Sequence, residues 1–260
     1  TGTLTQNKMT VVECFSMDKS AETELTRAMA LCSDAKIEPG ADTAIGEPTE
    51  CALVNYAHRL GMDKAEMEEK LPRTAEVPFD SSRKMMSTLH KRTTDGKVIQ
   101  YTKGAPDEVL KKCTKVLKDG EMKPITDADR AEIAEANKEM ADKALRVLMA
   151  AYTVYDSLPS DISPAGVEHD LCFIGLEGMI DPVRPEVKAA IEECNEAGIR
   201  PIMITGDHID TASAIGKELG ILGDGRRAIT GAMLDEMSDE EFEKEIENIS
   251  VYARVQPEHK

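Results

Sequence analysis

The chain has 260 residues, with 32 Lys or Arg against 49 Asp or Glu, a formal charge of −17. Such acidity argues against nucleic acid or anionic lipid as general partners and leaves room only for a local basic pocket that takes a small anion. The length allows one large core or two modest ones, and the sequence holds neither a signal peptide nor a run of about 20 apolar residues that could span a bilayer.

The first residue is Thr1, not Met, and the opening TGTLT reads as a loop whose work depends on what precedes it. This piece is expected to be soluble and monomeric, although its parent need not be soluble. After an opening strand, SAETELTRAMALCSDA carries Leu25, Met29 and Cys32 at helical spacing, with Ser20 at the N-cap position. GEPTECALVNYAHRLG predicts a helix with Pro48 in its first turn and Gly61 at its stop, and Asp63 and Glu66 mark a capping box for a short helix. Two strand-like runs then flank Asp95-Gly96, a hairpin dipeptide. GAPDEVLKKC predicts a short helix, Thr126 to Asp129 cap a long polar one, and RVLMAAYTVY returns to strand. Residues 10–156 thus read as an α+β module built on an antiparallel sheet.

A Pro- and Ser-containing connector, residues 157–170, marks the expected boundary. Beyond it strands (CFIGLEGMID, IRPIMITGD, RAIT, VYARV) alternate with helices, one of them with Val187, Ile191 and Cys194 inward and one with a Ser238/Glu241 capping box. That alternation predicts an α/β doubly wound parallel sheet formed by residues 1–9 and 171–260, with chemistry at the carboxyl ends of its strands. Cysteines at 14, 32, 51, 113, 172 and 194 form no CxxC pair and no Cys/His cluster, which suits reduced cytosolic thiols better than disulfides or zinc.

Each candidate motif has an ordinary reading beside its functional one. Thr205, Gly206 and Asp207 of MITGD could cradle an anion or simply turn a strand into a helix. Asp181 and Arg184 of DPVRPEV sit at a strand end, where a carboxylate before proline is often only a turn. Phe79 and Lys84 of VPFDSSRKMMS could sandwich a flat ring and neutralise a phosphate, or be a core aromatic and a surface lysine. Lys103-Gly104 precedes a helix N-terminus, a plausible anion site or a plain strand end. Arg146 marks a helix-to-strand junction, and Arg254 and Lys260 alone are solvated charges.

Their succession is more specific than any member. TGTLT, GEPTE, FDSSRKMMS, TKGAPDE, LRVL, DPVRPEV, MITGD and ARVQPEHK, spread over nearly the whole chain, resemble the cytoplasmic part of a P-type cation-transporting ATPase of the type II, calcium-pump branch. The resemblance implies a nucleotide-binding domain inserted into a haloacid-dehalogenase-like phosphorylation domain, with ATP and Mg2+ as cofactors. It implies that the aspartate taking the γ-phosphoryl group stands just ahead of Thr1, as an acyl phosphate acceptor. Thr3, Thr205 and Gly206 would then contact the phosphoryl group, with Asp207 in the same turn, Lys260 would neutralise it, and the Thr1 carbonyl would ligate magnesium. Phe79 would stack on adenine, Glu50 would stand near the ring amino group, and Lys84, Lys103 and Gly104 would line the pocket. Arg146 would reach a phosphate, Leu148 would pack nearby, Glu47 would form pocket wall, and Asp181, Arg184 and Arg254 join the binding set.

The family's second magnesium carboxylate, in a Gly-Asp-Gly-x-Asn-Asp segment, has no counterpart, so this piece is expected to be catalytically inactive. Asp80 follows Phe79, and Ser81 and Ser82 stand where the family's sarcoplasmic-reticulum pump carries an Arg and an Asp, so that one pocket-edge cation is lost; GAMLDEMSDEEFEKEIENI matches only loosely. A haloacid-dehalogenase-type phosphatase would share MITGD and the lysine but not FDSSRK or KGAPDE. A non-catalytic nucleotide sensor is the third alternative. Calcium is the expected ion, with sodium/potassium transport as runner-up. The parent's expected partners are its own transmembrane and actuator domains at the cytoplasmic face of a membrane.

Overall fold

A computed structural model describes residues 3–6, 8–206, 209–223 and 225–255. The chain divides into two compact units: Met9–Ala141 with Leu145–Ile180, and Thr1–Lys8, Asp142–Ala144 and Asp181–Lys260.

In the larger unit β1 (Thr10–Phe15) leads to α1 (Glu22–Leu31), α2 (Pro48–Arg59) and α3 (Lys64–Lys70). Then follow β2 (Arg73–Asp80), β3 (Met85–Lys91), β4 (Val98–Gly104), α4 (Pro106–Lys112), β5 (Cys113–Lys118) and β6 (Glu121–Pro124). Last come α5 (Asp127–Asp142), β7 (Arg146–Tyr155), α6 (Pro164–Val167) and β8 (Leu171–Ile180). One mixed sheet runs in the order β2-β3-β4-β7-β8-β5-β6, with β1 also on β8. The second edge of β8 is shared: β5 pairs parallel with its start at Cys113↔Leu171, and β1 antiparallel with its end at Thr10↔Ile180.

Helices cover both faces of this sheet. Leu25 and Met29 of α1 and Leu53 of α2 pack with Tyr101 and Ile174, while Val109 of α4 and Ile133 and Met140 of α5 pack with Met149 and Phe173. This two-sided burial corrects the expected place of β8. A central antiparallel strand covered on both faces carries the same unbroken apolar run as a parallel one, so Leu171–Ile180 was expected in the doubly wound layer. It pairs instead with β7, antiparallel through Arg146↔Met179. Residues 157–170 are likewise no boundary, since α6 brings Val167 into a cluster with Val77, Leu89 and Val98. The chain leaves the large sheet only after Ile180.

The local signals fare better. Asp95-Gly96 turns the β3–β4 hairpin, with Gly96 at φ +75°, a region glycine enters without strain. Thr126 accepts from the Asp129 amide while Asp129 accepts from the Thr126 amide, closing a reciprocal cap on α5. Ser20 is not the cap of α1. Asp18 accepts from the Ser20 amide and caps a single 3₁₀ turn, Lys19–Ala21, that runs into the helix.

The smaller unit contains α7 (Pro185–Glu196), β9 (Met203–Ile204), α8 (Ile209–Glu218), β10 (Arg227–Thr230), α9 (Gly231–Asp235), α10 (Asp239–Glu245) and β11 (Ile249–Ala253). Three parallel strands, in the order β10-β11-β9, meet α8 over Met203, Ile215, Leu219 and Val251. Val187 and Ile191 of α7 are half-buried against that core, as is Cys194 by exposure, so the expected inward stripe is only partly covered. The Ser238/Glu241 capping box of α10 is formed on both sides. Among the described residues no helix is long and apolar enough to cross a membrane.

Candidate functional site

A cleft of about 600 Å³ opens in the larger unit, and eight of the eleven residues expected to bind nucleotide line it: Glu47, Glu50, Phe79, Lys84, Lys103, Gly104, Arg146 and Leu148. They come from separate elements. Glu47 caps α2 by accepting from the Glu50 amide at 3.0 Å, and Pro48 fills the first helical position, where a missing N–H costs nothing. This aims Glu50 one turn in, towards β4. Phe79 and Lys84 flank the β2–β3 turn, Lys103 and Gly104 end β4, and Arg146 and Leu148 begin β7.

The base of the cleft is a closed polar knot. Lys103, 7 % exposed, donates to Glu50 Oε1 at 2.5 Å, to Ser33 Oγ at 3.0 Å and to the Cys32 carbonyl. An ammonium has three N–H groups, so its donors are spent. With these bonds made, Lys103 has no N–H left over for an anion, and it holds Glu50 in place. The second oxygen of Glu50 accepts from the amides of Asp34 at 2.6 Å and Ala35 at 3.2 Å. Oε1, with one bond made, keeps a lone pair for an amino group presented from the cleft.

The walls and mouth differ in character. Met86, Leu148 and Phe79 give an apolar surface, and Phe79 is 62 % exposed, with no aromatic among the described residues stacked on it. Lys84 and Arg146 are exposed cations at the rim, and Arg146 donates to Thr49 Oγ1 at 2.9 Å. Gly104 is dictated by space: a Cβ there would stand 2.4 Å from the Lys84 carbonyl oxygen.

Two cations escaped the sequence reading. Buried Lys64 donates to the carbonyls of Ser33 (2.6 Å) and Ala35 (2.8 Å), and burial pulls its ammonium down to about 8. Arg73 donates to the carbonyls of Leu31 and Ser33 and to the carboxylates of Asp34 and Glu76. Together they fix residues 31–35, of which Asp34 and Ala35 line the cleft. In sequence, Lys64 is a first-turn helix lysine and Arg73 a strand-start arginine, with nothing to separate them from surface charge.

The remaining candidates lie elsewhere, in the smaller unit. Asp181 accepts from Thr5 Oγ1 at 2.7 Å and from the Lys8 amide at 3.0 Å, and Arg184 Nε donates to the Thr5 carbonyl at 2.9 Å. These two residues bind the opening segment to the start of α7 and line no part of the cleft. Thr205 and Gly206 follow β9 and Arg254 follows β11, so they stand at the carboxyl ends of adjacent parallel strands, joined by the Val255 amide donating to the Thr205 carbonyl. Thr3 is exposed. Thr1, Asp207 and Lys260 lie outside the described residues.

A model of the cytoplasmic N domain of P-type ATPases matches residues 22–186. The chain belongs to the P-type ATPase family. Over its whole length this P-type ATPase chain is 46 % identical to calcium-transporting ATPase 1 of Bacillus cereus, covering 30 % of that protein. It is 43 % identical to a calcium-transporting ATPase of Listeria monocytogenes, covering 31 % of it, and 41 % identical to calcium-transporting ATPase 1 of Lactococcus lactis, covering 30 %. The chain thus spans just under a third of the length of these relatives.

Proposed function

We propose that the larger unit binds ATP in the cleft, within a cation pump whose ion is calcium. The observation that carries this is the convergence of Glu50, Phe79, Lys103 and Arg146, from four separate elements, on one cavity of about 600 Å³. A purine stacks on the open face of Phe79, with its amino group donating to Glu50 Oε1, and the phosphates run towards Lys84 and Arg146. Calcium rests on the names of the relatives above.

The smaller unit is, on this reading, part of a haloacid-dehalogenase-like phosphorylation domain, with an acceptor aspartate just ahead of the segment matching Thr1–Thr5. Thr205 and Gly206, at strand carboxyl ends, have the placement such chemistry uses. Among the described residues no group of three or more His, Cys, Asp or Glu side chains stands together as a metal ion needs, and we assign magnesium to none of them.

Calorimetric titration with ATP tests the cleft. Phe79→Ala is expected to weaken binding by about tenfold or more, the usual loss when a base loses its aromatic platform. Arg146→Ala is expected to weaken it less, since an exposed cation is screened by solvent. Equal and negligible effects of both would refute the assignment.

A further inference from the structure

Phe79 poses a mechanical problem. Its ring is mostly exposed, so packing does not orient it, and its aim must come from the backbone that carries it. That backbone is irregular: Val77 pairs with Ser87 and Asp80 with Met85, so Pro78 and Phe79 together oppose Met86 as a β-bulge. Bulges re-aim side chains but give up regular ladder pairing, and they need support from elsewhere.

The support comes from Arg83, just past the bulge, and through it from Glu168, 85 positions further along the sequence. Arg83 Nη2 donates to the Pro78 carbonyl at 2.8 Å, the peptide that carries Phe79. Its Nη1 lies 2.5 Å from both carboxylate oxygens of Glu168. The Glu168 side chain is 2 % exposed and also accepts from Ser87 Oγ at 3.2 Å. Glu168 closes α6, whose Val167 is in the core and offers its carbonyl to Gln100 Nε2 at 2.9 Å. Charge-assisted bonds to a buried carboxylate are short and strong, and breaking such a pair leaves a charge without its partner.

We propose that Arg83 and Glu168 are positioning residues, a strut from α6 that holds the Phe79 bulge and so sets affinity for the base of the nucleotide. This rests on the ATP reading above.

The test is a double-mutant cycle in the 260-residue chain, titrated with ATP by calorimetry. Arg83→Met is expected to weaken ATP binding about fivefold, yet to add nothing once Phe79→Ala is present. The same fivefold loss in both backgrounds, or none in either, overturns the strut. Phe79→Ala without effect sinks the ATP reading itself and this inference with it, a separate result. A second measurement needs no nucleotide: the chain has five tyrosines but no tryptophan, so Phe79→Trp, excited at the red edge where tyrosine does not absorb, supplies a single emitter at the bulge. Adding Arg83→Met should lower its fluorescence anisotropy, and an unchanged value also overturns the proposal. Should Arg83→Met lose its cooperative unfolding transition, Glu168→Gln, which keeps volume and one hydrogen bond, takes its place in both measurements.

Discussion

Two acidic side chains of this chain, Glu50 and Glu177, are treated in opposite ways. Glu50 is bonded through both oxygens, whereas Glu177 on β8 is buried with neither carboxylate oxygen partnered, and burial pushes its carboxyl up to about 8. Between the ordinary 4.5 and about 8 the folded chain holds this proton while the unfolded chain releases it. Stability from this group is therefore complete below pH 4.5 and drains away as pH rises through the folded value, by up to about 1.4 kcal/mol per pH unit. Glu177→Gln should raise the urea midpoint at pH 8 and flatten its decline from pH 5 to 8; an unaltered slope would refute the assignment. For the knot at the cleft base, Lys103→Met should weaken adenosine and ATP in parallel, while Lys84→Met should weaken ATP alone. The reverse pattern in paired titrations would return Lys103 to the phosphates. Phe79, Lys84 and Arg146 were legible because family motifs carry them. Lys64, Arg83 and Glu168 were not, because their partners are peptide carbonyls and a distant carboxylate, which leave no spacing in sequence.

Among elements, those set by local chemistry could be read, and those set by distant pairing could not. RVLMAAYTVY reads as a strand and forms β7 over the same ten residues, and the caps of α5 and α10 follow from Ser, Thr and acidic residues three positions apart. The β5–β6 hairpin turns on Asp119-Gly120, the same dipeptide as Asp95-Gly96, with both residues at positive φ. Assigning β8 to a sheet requires its neighbours, and these lie 20 or more residues back in the chain. At the end of β4 the fit is tightest. A methyl at Gly104 would meet Met85 Cβ at 2.6 Å as well as the Lys84 carbonyl, and neither is a flexible tip. Gly104→Ala should cost about 1–3 kcal/mol, the usual price of overpacking, and displace the turn that bears Lys84. Urea unfolding with unchanged midpoint would show that the turn yields freely.

At the scale of the molecule, the acidic chain of charge −17 carries two exposed cations, Lys84 and Arg146, at the rim of one cleft, and every residue lining that cleft belongs to the larger unit. The smaller unit has its own core, in which Val251 of β11 is fully buried beside Met203 and Ile215. Removing two methyl groups there leaves a cavity that neighbours refill only in part, a loss of about 2 kcal/mol or more. If affinity for ATP is a property of the larger unit's geometry, that loss cannot reach it through any shared side chain of the cleft. Val251→Ala should lower the thermal midpoint of the chain while its ATP affinity stays within about twofold of the original, a change worth less than about 0.5 kcal/mol. A large fall in affinity, in protein verified as folded by circular dichroism at the titration temperature, would mean that the smaller unit's core governs the cleft, and that the binding reading has to be rebuilt around both units.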